Sequence, residues 1–350
     1  MTKLKIRGFR DAIETPCETF TELSDGTYML RDKAGYLYPS HVLEGKLSFI
    51  IPYLRAGEIR ELLLLDEPPI MEFRLIDTGS EVKLMRGFEH IASYRYREVR
   101  IPYVYPLNVN KNSSVTENSP SDHPHHHSLW TAHGNVNGID FWAGEGRIRL
   151  LRFTRLISGP VYAEIAVENS WESEGSCFLL EDRRIRFWNT PSGEWLIDYD
   201  VLLKPKGETM LGDTKEAGMV SIRVANSMNV LSGGKIMNSW GGVNEKEVWG
   251  KKAEWCDYSG PLANRIYGVT IFDHYLNPRH PTYWHARDYG LMTANVFGLS
   301  EFTGHRAGDL LVTDPICFRY RLLIHRGWIH EAHIQLRYLN WIYPPEVVFD

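Results

Sequence analysis

The sequence predicts a mainly β protein made of stacked antiparallel sheets, a β-sandwich with one helix near its C-terminus. Aromatic residues make up 12% of the 350 residues, and 29 glycines and 18 prolines interrupt the chain often. Short runs of aromatic and β-branched residues lie between these turn signals, which is the pattern of strands. The predicted strands cover residues 26–30, 46–52, 70–75, 81–85, 147–156, 162–168, 194–203, 219–224, 265–272 and 317–325.

Periodicity separates the strands from the few predicted helices. In residues 147–153 polar and apolar side chains largely alternate, as a strand with one buried face requires. Residues 328–341 instead have the spacing of an amphipathic helix, which Pro344 ends. The apolar face of this helix is predicted at Ile329, Ala332, Leu336 and Leu339. A second, short helix is predicted at residues 58–65. Many strands with one terminal helix are typical of stacked sheets.

The domain organisation follows from the length and from one break in the pattern. A chain of 350 residues can bury one large β core or two smaller ones. Turn residues at 77–80 interrupt the strand pattern. We therefore expect an N-terminal β region, residues 1–85, packing on a main β-sandwich, residues 86–350, that carries the site. One continuous domain is the alternative.

Composition and charge exclude several classes of protein. The net charge of −5 argues against nucleic acid as a partner, because such proteins usually carry a basic excess. No run of eighteen apolar residues predicts a membrane span, and charged residues in the first fourteen positions do not resemble an export signal. There is no phosphate-binding loop motif, so no nucleotide cofactor is expected. These observations favour a cytoplasmic protein with a small-molecule ligand, and leave its oligomeric state open.

The most informative segment is rich in histidine. Five of the 14 histidines lie between positions 123 and 133. Imidazole is a common metal ligand and titrates near neutral pH. If the segment is extended, alternate residues share a face, so His123, His125 and His127 point one way and His126 the other.

Three interpretations of this segment stay open. In the first, His125, His126 and His133 bind a divalent metal ion such as Zn, Mn or Fe. In the second, the histidines bind no metal, and His126 and His133 act as acid–base groups or hydrogen-bond donors. In the third, the segment is a surface loop with incidental histidines.

The residues around the histidines resemble a sugar-binding inventory. Sugars are bound by flat apolar faces together with amide and carboxylate groups. We therefore predict that His123, Trp130, Asn137, Asp140 and Trp142 contact the ligand, with Asp140 also orienting a histidine ring. The pair Asn137-Gly138 is equally typical of a hairpin turn.

Two further segments supply polar candidates. In residues 281–290 an imidazole, a guanidinium and a carboxylate lie between aromatic residues. Here His285 and Asp288 are candidates for proton transfer and Arg287 for holding the substrate, although a structural ion pair of Arg287 with Asp288 fits equally well. Lys215 and Glu216, in a compact charged run before a strand, are candidate substrate contacts, although most such runs are solvated turns.

At these residues the chain resembles a bacterial family catalogued as DUF6807, whose members often carry the label methane oxygenase PmoA. The shared motifs are spread over most of residues 86–325. They are 102–107 (PYVYPL), 122–126 (DHPHH), 128–130 (SLW), 132–134 (AHG), 136–142 (VNGIDFW), 213–216 (DTKE), 255–260 (WCDYSG), 272–274 (FDH) and 287–290 (RDYG). Two positions depart from the family pattern, since His127 and Ile101 stand where arginine is usual.

The resemblance implies a β-sandwich of the aldose-epimerase and sugar-lyase type. The genes of the family tend to accompany those of sugar oxidoreductases, which implies a carbohydrate substrate. The predicted function is therefore a carbohydrate-active enzyme, a lyase, hydrolase or epimerase, acting on a glycoside or an oxidised sugar by His/Asp acid–base chemistry. Assistance by a metal ion is compatible with this prediction. The alternatives are a non-catalytic sugar-binding or sensing protein and a metal-dependent oxygenase.

Overall fold

The computed structural model is a mainly β molecule, with 55% of residues in strands and 7% in helices. It describes residues 2–65, 67–70, 73–111, 113–305 and 307–349. The predicted fold class is therefore confirmed, because the strands form several antiparallel sheets and a short helix lies near the C-terminus.

Strands predominate along the described residues, and the helices between them are short. In the first half they are β1 (Lys3–Arg7), β2 (Ala12–Phe20), β3 (Gly26–Asp32), β4 (Leu37–Leu43), β5 (Lys46–Leu54), β6 (Ile59–Leu65), β7 (Phe73–Asp77), β8 (Glu81–Arg86), β9 (Glu89–Arg95), β10 (Tyr103–Asn110), β11 (Ser113–Ser114), β12 (Leu129–His133), β13 (Arg147–Ile157) and β14 (Tyr162–Ser173). In the second half they are β15 (Ser176–Asn189), β16 (Trp195–Pro205), β17 (Thr209–Leu211), β18 (Ala217–Arg223), β19 (Lys235–Asn238), α1 (Asn244–Val248), β20 (Trp255–Leu262), β21 (Arg265–Asp273), β22 (Tyr283–Ala286), β23 (Leu291–Asn295), α2 (Leu299–Thr303), β24 (Leu310–Val312), β25 (Ile316–Arg326), α3 (Ile334–Ile342) and β26 (Glu346–Phe349).

All ten predicted strands correspond to observed ones. The strand predicted at 70–75 is β7, which begins at Phe73, and positions 71 and 72 lie outside the described residues. The helix predicted at 58–65 is wrong, because this segment is β6, paired on both sides with β1 and β3. The C-terminal helix begins at Ile334, six residues later than predicted. No helix among the described residues is both long and apolar enough to cross a membrane.

The N-terminal strands form a sheet that curls on itself. Its seven strands are arranged in the order β2-β5-β4-β3-β6-β1-β26. The two edge strands approach each other, since the Thr19 hydroxyl of β2 donates to the carbonyl of Val347 in β26 at 3.2 Å. A separate apolar core, including Leu4, Phe49 and Leu62, fills the inside. This unit combines residues 3–65 with the last strand of the chain, whereas β7 and β8 pair within the next sheet.

The larger part of the molecule is a sandwich of two sheets. One has nine strands in the order β22-β23-β18-β12-β10-β9-β8-β7, with β11 paired to β10, and the other has eight in the order β13-β14-β15-β16-β25-β21-β20-β19. The largest apolar core lies between them. Across it the hydroxyls of Thr131 in β12 and Tyr199 in β16 are 2.9 Å apart. The outer face of the eight-stranded sheet packs against β5 and α3 through Ile50, Trp188 and Tyr338.

Register within the nine-stranded sheet places a row of side chains on its outer face. Trp130 is opposite Ser221, Ser221 is opposite Thr293, and Thr293 is opposite His285. Paired residues in a sheet point to the same side. Thr131 of β12 points inward to Tyr199, so its neighbour Trp130 points outward, and the row with it. The histidine-rich segment packs on the Trp130 end of this row, through the ring of His126.

Candidate functional site

The histidine-rich segment is a series of tight turns. Three backbone hydrogen bonds fold it, from His123 N to the Pro120 carbonyl at 3.1 Å, from His126 N to the His123 carbonyl at 2.9 Å, and from Ser119 N to the His126 carbonyl at 2.9 Å. The prediction that an extended chain separates His126 from His123 is therefore wrong. The turn at 123–126 returns the chain on itself and brings these two rings together.

Four rings form a stack above the nine-stranded sheet. Tyr289 lies 4.6 Å from His123, His123 lies 4.6 Å from His126, and His126 lies 5.7 Å from Trp130, with interplanar angles of 15°, 9° and 29°. We call Tyr289, His123, His126 and Trp130 the ring stack. His125 meets His126 edge-on at 4.6 Å. The predicted site residues His123, His125, His126 and Trp130 are thus brought together.

Trp142 joins the ring stack from a neighbouring loop. Its ring lies 5.8 Å from His126 and 5.2 Å from Trp130. The Asp140 carboxylate accepts hydrogen bonds from the backbone N–H of Trp142 at 2.6 Å and of Ala143 at 3.0 Å, which fixes this loop. The predicted hydrogen bond from a histidine ring to Asp140 is therefore absent among the described residues. Asp140 acts by shaping the loop that presents Trp142.

A buried arginine ties the ring stack together. Arg223 ends β18, a strand in which every residue is buried. Its Nη2 lies 2.9 and 2.7 Å from the two Asp122 carboxylate oxygens, its Nη1 lies 3.3 Å from Nδ1 of His126, and its guanidinium carbon lies 4.9 Å from the Tyr289 ring centre. Sequence reasoning missed Arg223. The available signal was a single charged residue within an apolar strand.

These contacts fix the protonation of His126. Burial, and then the neighbouring charges of His125, His123 and Arg223, lower the pKa of His126 from 6.5 to about 2, so the ring is neutral at pH 7. A guanidinium can only donate, so Nδ1 of His126 is the acceptor and its proton is on Nε2. This Nε2 makes no hydrogen bond with the described residues and is available as a donor.

The neighbouring groups have contrasting charge. Burial, with the nearby charges of His123 and Arg100, lowers the pKa of the half-exposed His125, so this ring is also neutral at pH 7. Although burial opposes it, hydrogen bonds from Arg223 and His123 lower the pKa of the Asp122 carboxyl to about 2. The site therefore presents two adjacent neutral imidazoles beside an ionised Asp122–Arg223 pair.

The second predicted segment reaches the site through Arg287 and Tyr289. The guanidinium carbon of Arg287 lies 5.5 Å from the Tyr289 ring centre, and its Nε lies 3.1 Å from the Glu245 carboxylate. Asp288 has a different role, because its carboxylate accepts from the Glu245 N–H at 2.9 Å in the first turn of α1. Among the described contacts none joins Asp288 to a histidine. The prediction that it acts as a base beside the histidines is not supported by its position.

His285 and His133 lie on opposite faces of the nine-stranded sheet. His285 belongs to the outward row that contains Trp130, and its Nδ1 lies 2.7 Å from the Lys215 carbonyl. Burial lowers the pKa of His285 to about 4. His133 is two positions beyond Thr131, so its ring points inward, 4.6 Å from Phe297. Burial lowers the pKa of His133 to about 3.

The predicted metal ligands therefore do not converge. His133 lies behind the sheet that separates it from His125 and His126, and Nδ1 of His126 faces the cationic Arg223. In the part of the chain that the structure describes, no group of three His, Cys, Asp or Glu side chains is placed to hold a metal ion. His125, His126 and His133 thus do not fit a divalent metal site, because strand alternation places His133 on the other face of the sheet.

The other predicted contacts build the surrounding loops. Asn137 is exposed, adopts a φ of 51° before Gly138, and accepts from the Met210 N–H at 2.7 Å, which fits the hairpin interpretation. The carbonyl of Lys215 accepts from His285, and the carbonyl of Glu216 accepts from Gly134 N–H at 2.8 Å. None of these three side chains contacts the ring stack among the described residues.

Comparison with known proteins identifies the family. The model of the family of unknown function DUF6807 matches residues 81–338, about three quarters of the chain. The chain belongs to the DUF6807 family. No curated protein matches it. Among solved structures it is similar to an alpha-mannosidase from Enterococcus faecalis V583, with a TM-score of 0.47 and 7% sequence identity. The alignment covers 100% of this chain and 46% of that enzyme, so the chain spans about half of its length.

The DUF6807 region contains the ring stack and Arg223, whereas the N-terminal curled sheet lies outside it. At the two positions that depart from the family pattern, the His127 ring meets Trp130 of the ring stack edge-on at 6.2 Å, whereas Ile101 lies in the core. His127 stacks on Tyr103 at 4.3 Å and bonds Asn118 at 2.8 Å. Ile101 is fully buried in the sandwich core.

Proposed function

We propose that the chain is a carbohydrate-active enzyme that moves a proton next to a carbonyl group of an oxidised sugar, as a lyase or an epimerase does. The observation that carries this proposal is the neutral His126 ring with its proton held on Nε2. A neutral imidazole donor can stabilise the negative charge that develops on a carbonyl oxygen without giving up its proton. Burial keeps the His126 ring neutral at pH 7, and Arg223 holds its proton on Nε2.

His125 is the proposed base. Its ring is neutral at pH 7, half-exposed and 4.6 Å from the ring of His126. In the proposed step a lone pair of His125 removes the proton from the carbon adjacent to the substrate carbonyl. The electron pair of that C–H bond moves to the carbonyl oxygen, which His126 Nε2–H stabilises by a hydrogen bond. In a lyase the enolate then expels a β-substituent, which leaves with its electron pair and takes the proton from the His125 imidazolium. In an epimerase the enolate takes a proton from water on the other face, and the His125 imidazolium returns its proton to the hydroxide left behind.

The charged groups around the rings supply binding. Arg287 is half-exposed beside Tyr289 and can donate to a substrate hydroxyl or carboxylate while it keeps its contact with Glu245. Asp122 is 43% exposed and accepts from hydroxyl groups. Together with the flat faces of the rings, these groups match the needs of a hydroxylated ligand.

Glycoside hydrolysis is less well supported. The usual mechanism needs two carboxyl groups on opposite sides of the scissile bond, one of them with a raised pKa. Here the pKa of Asp122 is lowered to about 2, and Asp288 binds the first turn of α1. Proton transfer by imidazole therefore suits this site better than the carboxylate chemistry of hydrolases.

The test is hydrogen exchange with solvent. Tag-free protein is incubated in D2O with a panel of 3-keto-glycosides and their reduced parent sugars, and the substrates are examined by NMR. We expect deuterium at the carbon adjacent to the carbonyl of at least one oxidised sugar. The variants His125→Gln and His126→Gln should each slow this exchange by about 100-fold or more.

The matched control is His330→Gln, because His330 is exposed and outside the ring stack. Its exchange rate should equal that of the wild type, with or without EDTA. If no member of the panel exchanges while some raise the melting temperature, the protein is a sugar-binding protein without this activity.

A further inference from the structure

A second groove lies on the other side of the sandwich. It forms where β2 and β5 of the curled sheet, the outer face of the eight-stranded sheet and the end of α3 meet, and its volume is about 440 Å³. This size is within the range of small-molecule sites, roughly 300–1,000 Å³. The ring stack covers the nine-stranded sheet instead, so the two sites lie on opposite faces of the molecule.

Cations outnumber carboxylates in this second groove. Its charged lining consists of Lys46, Arg184, Arg186, Arg319, Arg321, Glu18, Asp198 and Asp200. Four of the five cations have carboxylate partners within the groove. Arg319 is exposed and makes no ion pair among the described residues. The groove therefore carries one exposed cation that no carboxylate contacts in an ion pair, although Asp200 stands opposite it in the strand register and Cys317 lies within hydrogen-bond reach.

A buried amide faces the same space. Asn340 of α3 lines the groove and is only 2% exposed, yet neither its Oδ1 nor its Nδ2 has a hydrogen-bond partner among the described residues. A buried polar group without a partner is costly, so such groups are normally satisfied by protein, water or ligand. An amide offers both a donor and an acceptor, which is the pattern that a pair of neighbouring hydroxyl groups complements.

Aromatic side chains complete the lining. Trp341 is half-buried between the His274 ring, 5.0 Å away, and the Arg321 guanidinium, 5.4 Å from its ring centre. Phe20 is 81% exposed at the rim. An apolar ring at the edge of a charged groove gives the flat face against which a sugar ring packs.

We propose that the second groove binds a small carboxylated sugar of the uronate type. Arg319 pairs with the carboxylate, Asn340 bonds adjacent hydroxyl groups, and Trp341 packs against the ring. The site is independent of the proposed enzymatic activity, since none of its residues belongs to the ring stack.

Isothermal titration with D-glucuronate, D-glucose and inorganic phosphate tests this proposal. We expect a dissociation constant for D-glucuronate of about 1 mM or lower, and binding of D-glucose and of phosphate at least about ten-fold weaker. Arg319→Gln and Asn340→Leu should each weaken glucuronate binding about ten-fold or more, since each removes a hydrogen-bonding group. Asn340→Leu should also raise the melting temperature of the free protein, because it removes two unsatisfied polar atoms.

Two controls locate the site. Arg265→Gln removes an exposed arginine at the far end of β21 and should leave binding unchanged, as should His126→Gln in the ring stack. If Asn340→Leu does not fold, the exposed Arg319→Gln carries the test alone. Absence of glucuronate binding, equal binding of phosphate, or binding unaffected by Arg319→Gln would each overturn the proposal.

Discussion

The ion pair between Asp122 and Arg223 is asymmetric, and this asymmetry gives a quantitative prediction. The Arg223 side chain is 3% exposed, whereas the Asp122 side chain is 43% exposed. Replacing Asp122 by asparagine leaves a cation in a buried position without its counter-ion. Replacing Arg223 by methionine leaves a carboxylate that water can reach, and keeps apolar packing against Tyr289.

The expected costs follow from these exposures. Removing one partner of a fully buried pair costs about 3–5 kcal/mol, and the exposed end of this pair reduces the value for Asp122→Asn to about 2–3 kcal/mol. For Arg223→Met we expect about 1 kcal/mol, because the freed carboxylate becomes hydrated. The double variant should resemble Arg223→Met, since neither charge then remains buried and unpaired.

Equilibrium urea unfolding at pH 7, followed by tryptophan fluorescence, measures these differences in the free energy of unfolding, provided that the variants have the same m-value. The pKa of the Asp122 carboxyl is lowered to about 2, so its contribution is present above about pH 4 and is lost as the pH falls through about 2. A cost for Arg223→Met equal to or greater than that for Asp122→Asn would show that the buried cation is not the dominant charge, and would refute the reasoning.

Three further predictions concern protonation. Burial lowers the pKa values of His126 and His133 to about 2 and 3. The free energy of unfolding should therefore fall as the pH decreases from 6.5 towards 4, by up to about 1.4 kcal/mol per pH unit for each ring. A free energy of unfolding in urea that does not change with pH would contradict this. Nitrogen NMR of labelled His126 should give a single tautomer with the proton on Nε2 in the wild type, and a mixture of both tautomers in Arg223→Met. A mixture in the wild type would contradict the proposal that Arg223 fixes the tautomer. Although burial opposes it, Asp257 raises the pKa of His325. Asp257→Asn should therefore destabilise the protein most below pH 6.5, and less as the pH rises through that raised pKa. A loss of unfolding free energy that does not depend on pH in the same assay would contradict the pairing.

Much of the fold follows from local pattern. The polar and apolar alternation of residues 147–153 predicts β13 because a strand repeats every two residues. The apolar run Leu62–Leu65 was less informative, since a short run of this kind suits a helix or a strand equally. It became β6 because β1 and β3 provide partners on both of its edges.

The site was predictable only in part. His123, His125 and His126 are close in sequence, so their grouping needed no knowledge of the fold. Whether His126 joins His123 depended on the turn at 123–126, whose hydrogen bonds are not evident from composition. The position of His133 depended on where β12 begins, because a shift of one residue in a strand moves a side chain to the other face.

The amino-acid sequence alone determined the β class, the positions of ten of the strands and a cluster of histidines beside tryptophan. Tertiary structure alone decided that Arg223 and Tyr289, about 100 and 160 residues away, would complete that cluster. It also turned His133 and Asp288 away from it. Local periodicity encodes which face of a strand is buried, but contacts between distant strands arise from sheet order and register, which depend on the packing of the whole chain.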